Sequence, residues 1–119
     1  MKDPLVDLPG YALRRAAAAT MSRFVTAIEP LGLKFSELSA LLLVEANRAI
    51  TASQLGRMLD IQRANMVPLI SRLVDQGLIE RRPLDGKSHS LHLTPAGADK
   101  VAQGRAVIDA FETDLVARV

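Results

Sequence analysis

The tightest constraint on this chain is a change of period. Up to Gly77 its apolar residues return at steps of three and four; from Leu78 the step is two, and after Thr94 the helical step resumes. The first spacing buries a stripe of a helix and the second buries one face of a strand. The expectation is a mainly α fold with one small β-hairpin and a closing helix. No internal repeat or low-complexity linker interrupts it.

The helices can be read one by one. Leu13, Ala17, Met21, Phe24, Ile28 and Leu31 predict a single apolar stripe, read as core, on a helix of about five turns. The run Ala16 to Ala19 would let another helix approach it closely. Pro9 suits its first turn, and Glu29-Pro30-Leu31-Gly32 should end it. Ser36 is expected to cap a second helix, with Glu37 in its positive first turn. Leu38, Leu41, Leu42 and Val44 make that helix central. Thr51 and Gln54 have capping-box spacing for a third helix. Its buried side is expected at Leu55, Met58 and Leu59, with Gly56 where a tight crossing needs a small residue. A break at Asp60-Ile61-Gln62 leads to a fourth helix, Gln62 to Gln76, that buries Met66, Leu69, Ile70 and Leu73. Gly77 fits the left-handed position that stops it. Pro68 lacks an N–H and should kink it or delay its regular part.

Leu78-Ile79-Glu80-Arg81-Arg82 and Ser90-Leu91-His92-Leu93 read as short strands. The segment between them, 83–88, carries the Asp85-Gly86 turn signal. Thr94 and Pro95 supply an N-cap and an N1 proline for the last helix. Val101, Ile108, Phe111 and Leu115 form its sparse stripe.

Composition removes several functions. The 119 residues suit one domain with its own core. The longest stretch without Asp, Glu, Lys or Arg, Ser88 to Ala98, has eleven residues and contains Pro95 and Gly97. A membrane span needs roughly 20 apolar residues. The N-terminal MKDPLVDLPG has no apolar run and does not read as a signal peptide, so a cytoplasmic protein without membrane contact is expected. The absence of cysteine excludes disulfides, thiolate nucleophiles and thiol redox sensing. His89 and His92 lie close together in a strand-like segment with no third ligand nearby, so neither a metal site nor a zinc enzyme is expected. No catalytic set and no cofactor motif emerges. The net charge of +2 says little by size; residues 51–93 alone carry +2, while 1–50 carry +1 and 94–119 carry −1.

A short helix, a tight turn, a second helix with a basic outer face and a basic hairpin together form the arrangement that enters the DNA major groove. The residues left on the outer face are Arg63, Ala64, Val67, Pro68, Ser71 and Arg72.

The segments RLVDQGLIERR (72–82) and RPLDGKSHSLHLTPAG (82–97) resemble the recognition-helix end, wing and wing exit of MarR-type (multiple antibiotic resistance regulator) transcription factors. PLGLKFSELSALLLV (30–44) and ITASQLGRMLDI (50–61) resemble the family's second helix and the helix that leads into recognition. The resemblance spans residues 9 to about 115. It implies a winged helix-turn-helix lobe over 36–93, flanked by dimerisation helices at 9–31 and 94–119, within one domain covering 1–119. It further implies a homodimeric regulator, read as a repressor, on a pseudo-palindromic operator of double-stranded DNA, released by a small aromatic or phenolic effector. Arg63, Asn65, Val67, Pro68, Ser71 and Arg72 would lie at or near the groove, with Arg72 on a phosphate and Ala64 and Val67 against thymine methyls. Arg81 and Arg82 would take phosphates or brace Asp85. Lys87, beside Ser88 and His89, stands where the family carries a wing arginine; it keeps the charge but loses the planar fork, so weaker selectivity for narrow A·T grooves is expected. Thr51 and Ser53 read as caps first and phosphate contacts second. One further helix would normally follow Val119, so the chain reads as naturally short or truncated. Among Tyr11, Phe24, Phe35 and Phe111 no aromatic-lined cage is visible, and no effector residue can be named.

Two other classes remain. A winged helix can bind protein rather than DNA, but that face should be more apolar than Arg63, Ser71, Arg72 and Asp75 make it. An enzyme would need a pocket around Asp85 and His89, which a hairpin does not provide.

Overall fold

The computed structural model describes residues 9–117. Five helices and a two-stranded antiparallel sheet follow in the expected order: α1 (Pro9–Ile28), a 3-10 turn (Glu29–Leu31), α2 (Phe35–Ala46), α3 (Ala52–Leu59), α4 (Arg63–Asp75), β1 (Ile79–Asp85), β2 (Ser88–Leu93) and α5 (Pro95–Ala117). Among the described residues no helix is long and apolar enough to cross a membrane.

Local signals set most of the boundaries. Thr51 Oγ1 accepts from the Gln54 N–H at 3.2 Å and Gln54 Oε1 accepts from the Thr51 N–H at 3.0 Å, closing the capping box at α3. Gly77 (φ 72°) stops α4. The Leu78 N–H bonds Leu73 O and the Gly77 N–H bonds Val74 O, so two carbonyls of the last turn are satisfied. Thr94 Oγ1 accepts from the Gly97 N–H at 3.0 Å and caps α5, with Pro95 as its first residue. The start of α2 differs from expectation. Lys34, not Ser36, is the N-cap, because the Glu37 carboxylate reaches back to the Lys34 N–H at 2.7 Å.

The core collects Ile28 from α1, Leu38, Leu41 and Val44 from α2, Leu55 from α3, Met66, Ile70 and Leu73 from α4, Ile79 and Leu91 from the hairpin and Val101 from α5. Leu42 and Leu69 are half-buried against it. Gly56 lets α3 cross α4 closely; a Cβ there would stand 3.0 Å from Met66 Cγ. That crossing also corrects the expected buried side of α3. Leu55 and Gly56 are buried, whereas Met58 is 54% exposed. At 100° per residue Met58 lies about 110° from the middle of the buried face.

The α1 stripe is core only at its end. Ile28 is buried and Phe24 and Leu31 pack on the core, but Leu13, Met21 and Val25 are 73%, 42% and 45% exposed. In α5, Val101 is buried and Ile108 and Phe111 are half-buried. The side chains of Tyr11 and Leu115 lie outside the described residues. Three of the four aromatic residues meet where α1, α2 and α5 converge. Phe24 stands edge-on to Phe35 at 5.8 Å and to Phe111 at 5.2 Å.

The hairpin is longer than the alternation suggested. Its strands run to Asp85 and Ser88 and leave only Gly86 and Lys87 as the connection. Ile79 pairs with Leu93, Arg81 with Leu91 and Pro83 with His89. The register slips between Pro83 and Asp85, as expected where proline cannot donate to the ladder. The Leu91 N–H also bonds Ile50 O at 2.8 Å, fastening the hairpin to the residue before the α3 cap.

Candidate nucleic-acid interface

A turn of three residues joins α3 to α4. Asp60 adopts the left-handed conformation there (φ 56°), which aspartate tolerates better than most residues. The turn sets α4 across α3 and leaves its first turns open to solvent. Beside them stands the hairpin, held by the Ile50–Leu91 bridge.

Between these elements runs a groove of about 540 Å³. From α3 and its cap it is lined by Thr51, Ser53 and Arg57; from α4 by Arg63 and Val67; from the hairpin by Arg81, Lys87, Ser88 and His89. No carboxylate lines it. Among the described residues no ion pair engages Arg57, Arg63, Arg81 or Lys87. Four unneutralised cations around one concavity create a positive potential suited to a polyanion.

Strand alternation decides which hairpin residues face the groove. Arg81, His89 and Leu91 share that side, while Glu80, Arg82, Ser90 and His92 share the other. Arg82 does not brace Asp85. Its guanidinium pairs with Glu80 two residues away, with Nη2–Oε1 at 2.6 Å and Nε–Oε1 at 2.9 Å. His92 Nε2 lies 2.7 Å from the hydroxyl of buried Ser90.

Along α4 the expected residues divide. Arg63 and Val67, one turn apart, line the groove, and Val67 is 61% exposed. Ala64, Asn65 and Pro68 are exposed on the surface beyond it, and Ser71 is half-buried. Arg72 stands apart, about 180° around the helix from Arg63 at 100° per residue. Its Nε lies 2.7 Å from Oε2 of Glu37, whose side chain is 1% exposed. Arg72 was expected on a phosphate; its guanidinium, 50% exposed, neutralises a buried carboxylate from the other side. Thr51 and Ser53 reach the groove rim, with the Thr51 hydroxyl already engaged as the α3 cap.

Arg57 was missed in the sequence. It sits one helical turn after Ser53 on the same side of α3, and the i, i+4 relation to an expected phosphate contact was the available signal. It separates the groove from a shallower hollow of about 410 Å³ beside Asn47, Arg48 and Gln54.

Comparison with known proteins gives this arrangement a context. The sequence profile of the MarR family matches residues 31–88. The fold superposes on the transcriptional repressor CouR bound to a 23-mer DNA duplex with a TM-score of 0.88, at 30% identity, over 98% of this chain and 84% of that one. CouR bound to p-coumaroyl-CoA superposes with a TM-score of 0.84, at 29% identity, over 99% of this chain and 84% of that one. The MarR family protein Rv2887 of Mycobacterium tuberculosis, in complex with DNA, superposes with a TM-score of 0.81, at 26% identity, over 93% of this chain and 84% of that one. A protein assigned to transcriptional regulation of the hcr operon in Thauera aromatica is 29% identical over 113 residues, 92% of this chain and 68% of its own length. With the helix-turn-helix, the hairpin wing and the flanking helices in the same order, this chain belongs to the MarR family.

Proposed function

We propose that this protein is a sequence-specific DNA-binding transcriptional repressor that acts as a homodimer on a pseudo-palindromic operator. The carrying observation is the groove: four cations without a carboxylate, held between α3, the recognition helix α4 and the wing. Arg63 and Val67 read base edges, with Ala64 and Asn65 beside them. Arg57, Arg81 and Lys87 take phosphates, with Thr51 and Ser53 at the rim and Ser88 and His89 along the wing. The α1 and α5 helices form the dimerisation region, where Leu13, Met21 and Val25 leave an apolar face uncovered. On the groove side of α4 exposed Val67 stands among Arg57, Arg63 and Lys87, which favours DNA over the alternative role as a protein-binding module.

CouR with p-coumaroyl-CoA, and Rv2887 with salicylic acid, support release by an aromatic acid or its thioester. The Phe24, Phe35 and Phe111 cluster lies where the dimerisation helices meet the DNA-binding lobe, the place at which such an effector would act.

The test is a titration of the protein against its own upstream region and against random duplex DNA. A preference for the former, and affinity that falls steeply with salt, is the expected result. Equal affinity for both at moderate salt would sink the proposal.

A further inference from the structure

The ion pair between Glu37 and Arg72 belongs neither to the groove nor to the apolar core. Glu37 sits in the first turn of α2, buried, with Oε1 bound to the Lys34 N–H at 2.7 Å and Oε2 against Arg72 Nε at 2.7 Å. The second contact is close but poorly directed, so Oε2 has a charge partner without a well-formed hydrogen bond. A buried carboxylate stripped of that partner would be strongly destabilised.

Among the described residues this is the one polar side-chain contact that joins α4 to another element. Every other α4 anchor is apolar: Met66, Ile70 and Leu73. Apolar burial is non-directional and tolerates small rotations of a helix about its own axis. An ion pair held at fixed depth does not. Its position adds to this. Arg72 is one turn after Pro68, whose missing N–H weakens the helix at that point. The helix nevertheless runs unbroken from Arg63 to Asp75, so the part bearing Arg63 and Val67, short of one bond of its own, takes its orientation from the part pinned from behind.

We propose that Glu37 is a positioning residue for operator recognition: from the interior it holds Arg72, and through Arg72 it sets the roll of the recognition helix and the aim of Arg63 and Val67. This rests on the DNA-binding reading above. Glu37 touches no DNA, so its effect falls on discrimination between sequences rather than on attraction to DNA as such.

The test uses the full chain, a duplex selected by the wild-type protein from a random pool, and a scrambled duplex of the same composition. Glu37→Gln keeps the volume and the acceptor for the Lys34 N–H but removes the charge. The expected result is a roughly tenfold fall in the ratio of selected to scrambled affinity, on the scale of couplings between residues in contact. Scrambled binding should hold or rise, because the variant is one charge more positive. Adding Arg72→Gln to Glu37→Gln should cost little more, since both act through one contact. An unchanged ratio, or a rise in affinity for both duplexes alike with a steeper salt dependence, would overturn the proposal and make Arg72 a phosphate ligand restrained by Glu37. If Glu37→Gln fails to fold by circular dichroism, Arg72→Lys takes its place. It keeps the charge and loses the fork, and the same fall in ratio is expected; an equal loss on both duplexes would refute the idea. A wild-type protein that selects no sequence would remove the DNA-binding reading itself, a separate outcome from a wild type that selects and a variant that selects equally well.

Discussion

Among the described glycines, Gly97 is the one with least room for a side chain. A Cβ there would stand 1.9 Å from the carbonyl oxygen of Leu78, closer than any relaxation of a side chain can relieve, since the obstacle is backbone. The Thr94 hydroxyl donates to Gly77 O and the Thr94 N–H to Leu78 O at 3.1 Å, so the start of α5 lies directly on the link between α4 and β1. Gly97→Ala should cost at least the 1–3 kcal/mol, roughly, of an overpacked site, read as a lowered midpoint in thermal unfolding. At the groove, single arginines should separate by role. Arg57→Ala should weaken binding to all sequences by a similar factor and lower the salt slope by about one. Arg63→Ala should change which base is preferred at one operator position, measured by selection from a random pool. The caps at Thr51 and Thr94 and the stop at Gly77 were legible in the sequence, because each is completed within a few residues. The partner of Arg72 was not, because Glu37 is brought to it only by the packing of α2 under α4.

At the scale of elements, period was a good guide and orientation was not. The order of helices, the hairpin and the buried face of α4 follow from spacing alone. The α1 stripe has equally regular spacing, yet half of it is uncovered in a single chain, since periodicity reports that a face is apolar and not what covers it. The same limit hid Met58, which matches the period of α3 but falls outside a face drawn toward Gly56 and Met66. In the wing, the expected strands stopped short because Pro83 read as a loop residue, whereas the ladder passes it with a slip in register. The groove could be foreseen as a combination of recognition helix and wing, but Arg57 could not, because its place depends on the angle at which α3 crosses α4. In α4, Pro68→Ala should restore a backbone hydrogen bond and raise the thermal midpoint. It should also alter operator preference, by stiffening the helix between Arg63 and Arg72.

The whole molecule is elongated, 60 × 28 × 21 Å, with a Cα radius of gyration of 17.3 Å. A compact chain of this length would have about 13.5 Å. The excess arises because α1 and α5 lean on one another, through Phe24 and Phe111 and through Arg23 and Asp114 at 3.3 Å, and extend beyond the DNA-binding lobe. In the proposed homodimer, a second copy would cover Leu13, Met21 and Val25. Met21→Glu with Val25→Glu should shift sedimentation toward the monomer and weaken operator binding together, because one chain carries only one half-site reader. The fit of Gly97 against Leu78 then acquires mechanical meaning. Twenty-three residues of α5 make a rod about 34 Å long. Its near end is fastened to Gly77 and Leu78, the link between α4 and the wing. A turn of about 5° about that contact carries the far end of the rod through about 3 Å. The contact without a methyl group stands at the fulcrum of a long lever, so an adjustment of a few ångströms at the far end of α5 reaches the wing as a turn of only a few degrees.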